Sequence, residues 1–336
     1  MVRILFMIPA LILSAATCIG CTIPVFRFAL DRWHADPYRL ELRAEDAAKP
    51  DIAAFVRNLD AASGINLEVS RSKGPDSILH MPATDGTGTE VWKGSLDRSR
   101  LDALVHSSAR AQIAANILSG DAAVWVLVEN GDPAGADRAA ATITKRLRYL
   151  EKVIQLPKID PNDPSSRLGP GPALRTTFSL VRIPTQHDEA PLLSMLSAND
   201  REITHSGKPW TSVVFGRGRV LGVWPVESME DSHIEELALF LTGACSCQVK
   251  RQNPGWDLLL RFDWDTKLQS MGVPPLPATE SNTPAPTAAN QSPESVRIEP
   301  PTQEPAPRQM RRLPIAWFAL AVVLAWSILR RKLPPS

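Results

Sequence analysis

Residues 271–309 read MGVPPLPATESNTPAPTAANQSPESVRIEPPTQEPAPRQ, and almost nothing in that run can be buried. A segment without large apolar side chains cannot offset the entropy lost on ordering, and its prolines favour extended polyproline conformation. The chain has 30 prolines, unevenly placed, and this run draws heavily on them. It is expected to be a disordered spacer of about 39 residues, spanning at most about 120 Å at up to ~3.1 Å per residue. Everything that can form a core must lie before it.

Beyond the spacer, residues 313–329 (LPIAWFALAVVLAWSIL) form an uncharged apolar stretch. It is at the short end for a spanning helix, which needs about 20 residues. Trp317 and Trp326 sit near its ends, where amphipathic rings favour the membrane interface. Arg311 and Arg312 precede it, while Arg330, Arg331 and Lys332 follow, so flanking charge alone leaves its orientation open.

The N-terminus supplies the orientation. Arg3 is followed by an apolar run, residues 4–20, and then by small residues, as an export signal requires. That run ends Thr17-Cys18-Ile19-Gly20-Cys21. Gly20 before Cys21 suits bacterial lipidation of the Cys21 thiol, although Cys18 stands where a leucine is usual; an uncleaved signal anchor is the other reading. Either way the body is exported, the C-terminal helix stops transfer, and the basic tail stays inside. The expected location is the inner membrane, single-pass, with the folded body in the periplasm.

Charge is balanced at +1, which gives no footing for a nucleic-acid partner. The 4 cysteines (Cys18, Cys21, Cys245, Cys247) are too few for a disulfide scaffold, and two belong to the targeting segment.

Between residues 38 and 265 strands and helices alternate. Residues 38–42 have strand period, and 51–62 place Ile52, Phe55, Val56 and Leu59 on one helical face, ended by Gly64. Residues 65–69 alternate again, a variable loop follows, 90–94 read as an edge strand, and 96–107 as a helix. A larger unit comes next. Residues 111–118 are helical, and 123–129 (AVWVLVE) are a continuous apolar run suited to a strand buried on both faces. Residues 137–156 form an amphipathic helix with Ile143, Leu147, Leu150 and Ile154 aligned, then 157–172 a Pro/Gly-rich loop. A strand at 177–183, a short helix at 191–196, a hairpin turning at Gly216-Arg217-Gly218, and a helix at 231–241 complete it.

The stretch GKPWTSVVFGRGRVLGVWP resembles the proline–hairpin segment of thioredoxin, and IEELALFL is similar to its last helix. The likeness covers residues 111–242 and places Pro209 near that family's cis-proline. It implies an α/β fold of tandem thioredoxin-like units, the first reduced and the second fuller. The implied organisation is a signal peptide (1–20), a lipid-anchored segment (21–37), a small unit (38–110), a fuller unit with a Cys-Ser-Cys segment (111–268), a linker (269–310), and a transmembrane helix with basic tail (311–336). The start CTIPVFRFALDRW and the end CSCQVKRQNPGWDLL are similar to those of uncharacterised bacterial membrane-anchored lipoproteins, which implies no activity. Thioredoxin keeps Cys-x-x-Cys at the head of its long helix, where the helix N-terminus lowers a thiol pKa. Here the junction is Glu129-Asn130-Gly131-Asp132-Pro133-Ala134-Gly135-Ala136-Asp137, without cysteine. The family's reaction cannot run there, and fold alone does not license function.

Cys245-Ser246-Cys247 is the remaining candidate for chemistry. Bridged across one residue, the pair would be strained and easily reduced. As two thiolates it would suit copper(I), with His187, His205 or His233 as a third ligand. As two small buried residues it would only pack the end of a helix. The 6 histidines (with His34, His80 and His106) show no zinc spacing, and no Gly-x-Ser-x-Gly elbow is present. Gly216-Arg217-Gly218-Arg219 reads as a hairpin turn, because no helix follows it. Asn253-Pro254-Gly255-Trp256 reads as a turn with an aromatic lid. The amphipathic residues 26–33 are expected to pack on the body rather than lie on the bilayer. The functional expectation is a non-catalytic scaffold, without cofactor, that binds another envelope protein. The alternative is a thiol–disulfide or copper-handling protein using Cys245 and Cys247.

Overall fold

The computed structural model describes residues 22–59, 64–82, 88–184, 189–245 and 249–276, which belong to one compact unit. The signal segment with Cys18 and Cys21, His187, Cys247, most of the spacer and the apolar run 313–329 lie outside these residues. No helix among the described residues is long and apolar enough to cross a membrane.

Helix α1 (Val25–Arg32) opens the body and packs on it, with Val25, Phe26, Phe28, Ala29 and Leu30 all buried. Burying its whole girth also takes Arg27 and Asp31 out of water, and they pair at 2.9 Å one turn apart. Arg27 then donates to the carbonyls of Gly169 (2.6 Å) and Pro172. Desolvation outweighs Arg27 and raises the Asp31 pKa.

The first sheet comprises β1 (Tyr38–Leu42), then after α2 (Ala44–Ala47) and α3 (Pro50–Arg57), β2 (Leu67–Arg71), β3 (Ser77–His80) and β4 (Glu90–Gly94); α4 (Arg98–Val105) follows. Its order is β2-β1-β3-β4, with β1–β2 parallel and the other pairs antiparallel. Period-two alternation puts Tyr38, Leu40 and Leu42 inward. The expected variable loop needs correcting, since β3 lies inside it and bridges β1 to β4. Ser77 and Leu79 are its only buried positions, too few to stand out as a pattern.

The second sheet follows α5 (Ser108–Leu118). It contains β5 (Ala123–Val128), then after α6 (Pro133–Val153), β6 (Phe178–Ile183), and after α7 (Ala190–Leu196) and α8 (Glu202–His205), β7 (Trp210–Phe215) and β8 (Arg219–Pro225). Helix α9 (Asp231–Thr242), strand β9 (Trp256–Asp257) and helix α10 (Trp264–Met271) end it. The order is β6-β5-β7-β8-β9, with β5–β6 parallel and the rest antiparallel. Its first four strands therefore repeat the order and sense of the first sheet. Two elements differ from the sequence reading. Trp256 is not a lid but pairs with Val220 in β9, and its indole N–H donates to the Met195 carbonyl at 2.9 Å. Residues 269–271 belong to α10, not to the linker.

Strand β5 is buried throughout because a cluster covers each face. Val124, Val126 and Val128 join the first sheet, α4, α5 and α7 in one. Ala123 and Trp125 join α1, α6 and α9 in the other. The two sheets thus share a core, and residues 257–262 stitch them together. The Asp257 carbonyl accepts from the Tyr38 hydroxyl (3.0 Å), the Leu258 carbonyl from the Asn66 amide (3.0 Å), and Leu260 N–H donates to Asn66 Oδ1 (2.9 Å). Arg110 locks the α4–α5 corner by donating to the carbonyls of Ala103 (2.7 Å), Leu104 (2.7 Å) and Leu259 (3.2 Å). Burial draws its pKa down to about 10.

Candidate binding cleft at the head of helix α6

The chain leaves β5 through a tight turn in which Asn130 (φ 46°) and Gly131 (φ 85°) take left-handed backbone. Asp132 then caps α6, its carboxylate accepting from Gly135 N–H at 2.8 Å, and Pro133 fills the first turn, where no N–H is needed. The Asn130 amide donates to the Lys208 carbonyl at 2.9 Å, tying this turn to the segment that enters β7. Val226 N–H donates to the Pro209 carbonyl at 3.3 Å, bringing in the end of β8. The three segments enclose an open cleft of about 350 Å³.

Four charged side chains, Asp132, Arg138, Lys208 and Glu227, share its walls with Ala139, Pro209, Val226 and Met229. Lys208 Nζ pairs with Glu227 at 3.1 Å. Glu227's own backbone N–H and Lys208 hold that carboxyl below the usual glutamate range. Arg138 and Thr142 project from α6 on the other wall, and Arg138 has no ion-pair partner among the described residues. The cleft has a guanidinium without an ion-pair partner among the described residues, an ion pair and a helix-capping carboxylate, but no cysteine, serine or histidine. No Ser–His or Cys–His pair lines it. Its charged groups can hold a polar or charged segment of another molecule.

Pro209 lines this cleft and immediately precedes β7. No peptide bond among the described residues is cis, however, Pro209's included. In the sequence the β5–α6 junction and Pro209 stand out separately, whereas Arg138, Thr142, Lys208 and Glu227 are brought together only by the topology. A usable signal was present, because a β-α-β unit followed by a hairpin places its first strand–helix junction beside the residue that opens the hairpin.

Cys245 follows α9 and is 1% exposed, within the cluster of α1, α6 and α9, and its N–H donates to the Ile23 carbonyl at 2.9 Å. Of the candidate ligands, the two among the described residues have other neighbours: His205 Nδ1 lies 2.9 Å from the Arg201 carbonyl and His233 Nδ1 3.1 Å from that of Ser228. Among the described residues no group of three or more His, Cys, Asp or Glu could hold a metal ion. His34 Nδ1 faces Arg217 (3.1 Å) and His80 Nδ1 the Gly88 carbonyl (3.0 Å). Gly216-Arg217-Gly218-Arg219 is the hairpin turn. Arg217 reaches the Leu30 carbonyl (2.8 Å) and Asp265 (2.8 Å), and Arg219 reaches the Asn253 carbonyl (2.9 Å) and Asp257 (3.3 Å). Both arginines clamp the fold. The chain matches no family model, no curated protein and no solved structure.

Proposed function

We propose that the chain is a non-catalytic binding module of two thioredoxin-like units, anchored in the cell envelope, that engages another envelope protein through the cleft at the head of α6. One observation carries this reading. Both sheets share a strand order and sense, each with a helical crossover between its parallel strands and a helix after its last shared strand. At the place where thioredoxin chemistry would reside, the second unit has a helix-capping aspartate, Asp132, and no thiol. Cleft walls that carry charge without a cysteine, serine or histidine fit docking better than turnover.

The test uses the full chain in its own membranes, with a photo-crosslinking residue replacing Thr142. A discrete protein adduct is expected, reduced at least several-fold by Arg138→Glu combined with Lys208→Glu, with no reduction of an insulin-type disulfide substrate. Absence of any adduct sinks the docking role. Reductase turnover abolished by Cys247→Ser would put the alternative thiol–disulfide role of Cys245 and Cys247 in its place.

A further inference from the structure

We infer that the face built from loop 157–172 and the C-terminal ends of α6 and α9 rests on a phospholipid bilayer, holding the cleft away from it. The inference builds on the membrane anchorage proposed above. Its first support is the absence of slack. The apolar run 4–20 and Cys21 lead directly into Thr22, and Thr22 is already fixed to the body. Its N–H and hydroxyl reach Ser166 Oγ at 3.0 and 2.9 Å. Ile23 and Val25 then join the end of α9, through Cys245 N–H to the Ile23 carbonyl (2.9 Å) and Val25 N–H to the Gly243 carbonyl (3.0 Å). One extended residue spans only about 3.5 Å. A body anchored through Cys21 or the run before it cannot stand off, so the surface around Thr22 must meet the bilayer.

The opposite end of the body leaves from the same loop. Gly171 N–H donates to the Gly272 carbonyl at 2.9 Å, and Gly171 lies at most about 18 Å of extended chain from Ser166. Beside the first exit, at Gly243, lies a groove of about 370 Å³ whose walls are Leu150, Val153, Ile154, Pro157 and Leu239, with Gln155, Glu235 and Thr242 as its polar members. Apart from Val249, the large apolar side chains left exposed among the described residues are Val153 and Leu239 at this groove, Tyr149 one helical turn before Val153, and Met271, Val273 and Leu276 around Gly272. A half-exposed tyrosine, with the Arg146 guanidinium over its ring and Val153 one turn on, suits the headgroup–acyl boundary. Exposed Lys152 and Lys158 flank the groove in sequence and suit anionic headgroups. Helix α6 is 21 residues, about 30 Å, long and carries the cleft at its N-terminal end and the groove at its C-terminal end.

The test places a photo-crosslinking residue at Val153 or Leu239 in the full chain, with Ser70 on the first sheet and Arg138 at the cleft as comparison sites. Membranes are irradiated and adducts are read by mass spectrometry. Phospholipid adducts at 153 and 239, at least fivefold above those at 70 and 138, are expected. Equal lipid labelling at all four sites, no lipid adduct, or adducts to a second copy or another protein at 153 and 239 would overturn the inference. Carbonate extraction of the unirradiated membranes separates the two readings. A chain that washes off refutes the anchorage and the inference with it, whereas a retained chain without lipid adducts refutes the inference alone.

Discussion

Asp46 is fully buried and holds the first sheet's corner from α2. Its carboxylate accepts from Lys49 Nζ (2.7 Å), Leu96 N–H (2.7 Å), Ser77 Oγ (2.9 Å) and Arg43 Nε (3.0 Å). Burial alone would raise its pKa. The donors, led by Lys49 and the Leu96 N–H, outweigh it and hold the carboxyl far below the ordinary aspartate range. Asp46→Ala leaves a buried N–H and an ammonium without their acceptor. A loss of about 3 kcal/mol is expected, visible as a fall in Tm of roughly 6–12 °C. The depressed pKa also fixes a pH dependence. The contribution is present above the unfolded-state pKa of about 4 and drains away as pH falls below it. Urea midpoints measured from pH 6 to 3 should fall less steeply for Asp46→Asn than for the unsubstituted chain; parallel curves would deny Asp46 this role.

At the scale of elements, α1 depends on the β7–β8 turn. Gly216 has φ 56°, and a Cβ built there would lie 2.7 Å from the Ala29 Cβ of α1. Arg217, the next residue, donates to the carbonyl of Leu30 in the same helix. Trp33 adds edge contacts to Phe28 and Phe215, with ring centroids 6.0 and 6.4 Å apart. Gly216→Ala therefore combines unfavourable backbone with a clash at a packed helix. It should cost about 2 kcal/mol and speed amide exchange in α1 ahead of β5. Unchanged exchange in α1 would show that the turn does not seat the helix.

For the whole molecule, the sheets are two in topology but one in packing. Leu40 and Leu79 of the first lie in the same cluster as Val126 and Val214 of the second, and Leu258–Leu260 fill the seam between them. A shared core couples their unfolding. The detergent-solubilised full chain is expected to melt in one transition, with far-UV circular dichroism and tryptophan fluorescence coinciding. Two resolved transitions would mean that each sheet keeps a core of its own.

Sequence alone determined the elements whose patterns are long and local. The alternation of 38–42, the unbroken AVWVLVE run, the stripe of Ile143, Leu147 and Leu150, and the Gly-Arg-Gly hairpin were all legible, because each shows its burial within a single segment. The packing of 26–33 on the body was legible for the same reason. Only the tertiary structure placed β3, β9 and α10, since a four-residue strand with two buried positions, or a two-residue strand after a glycine turn, gains its stability from its neighbours rather than its own pattern. The cleft was hidden likewise. Arg138, Lys208 and Glu227 are ordinary surface charges in sequence, and they become neighbours only because β7 crosses back beside β5. Local side-chain periodicity reports which face is buried, whereas the juxtaposition of distant charges is decided by strand order, which periodicity does not encode.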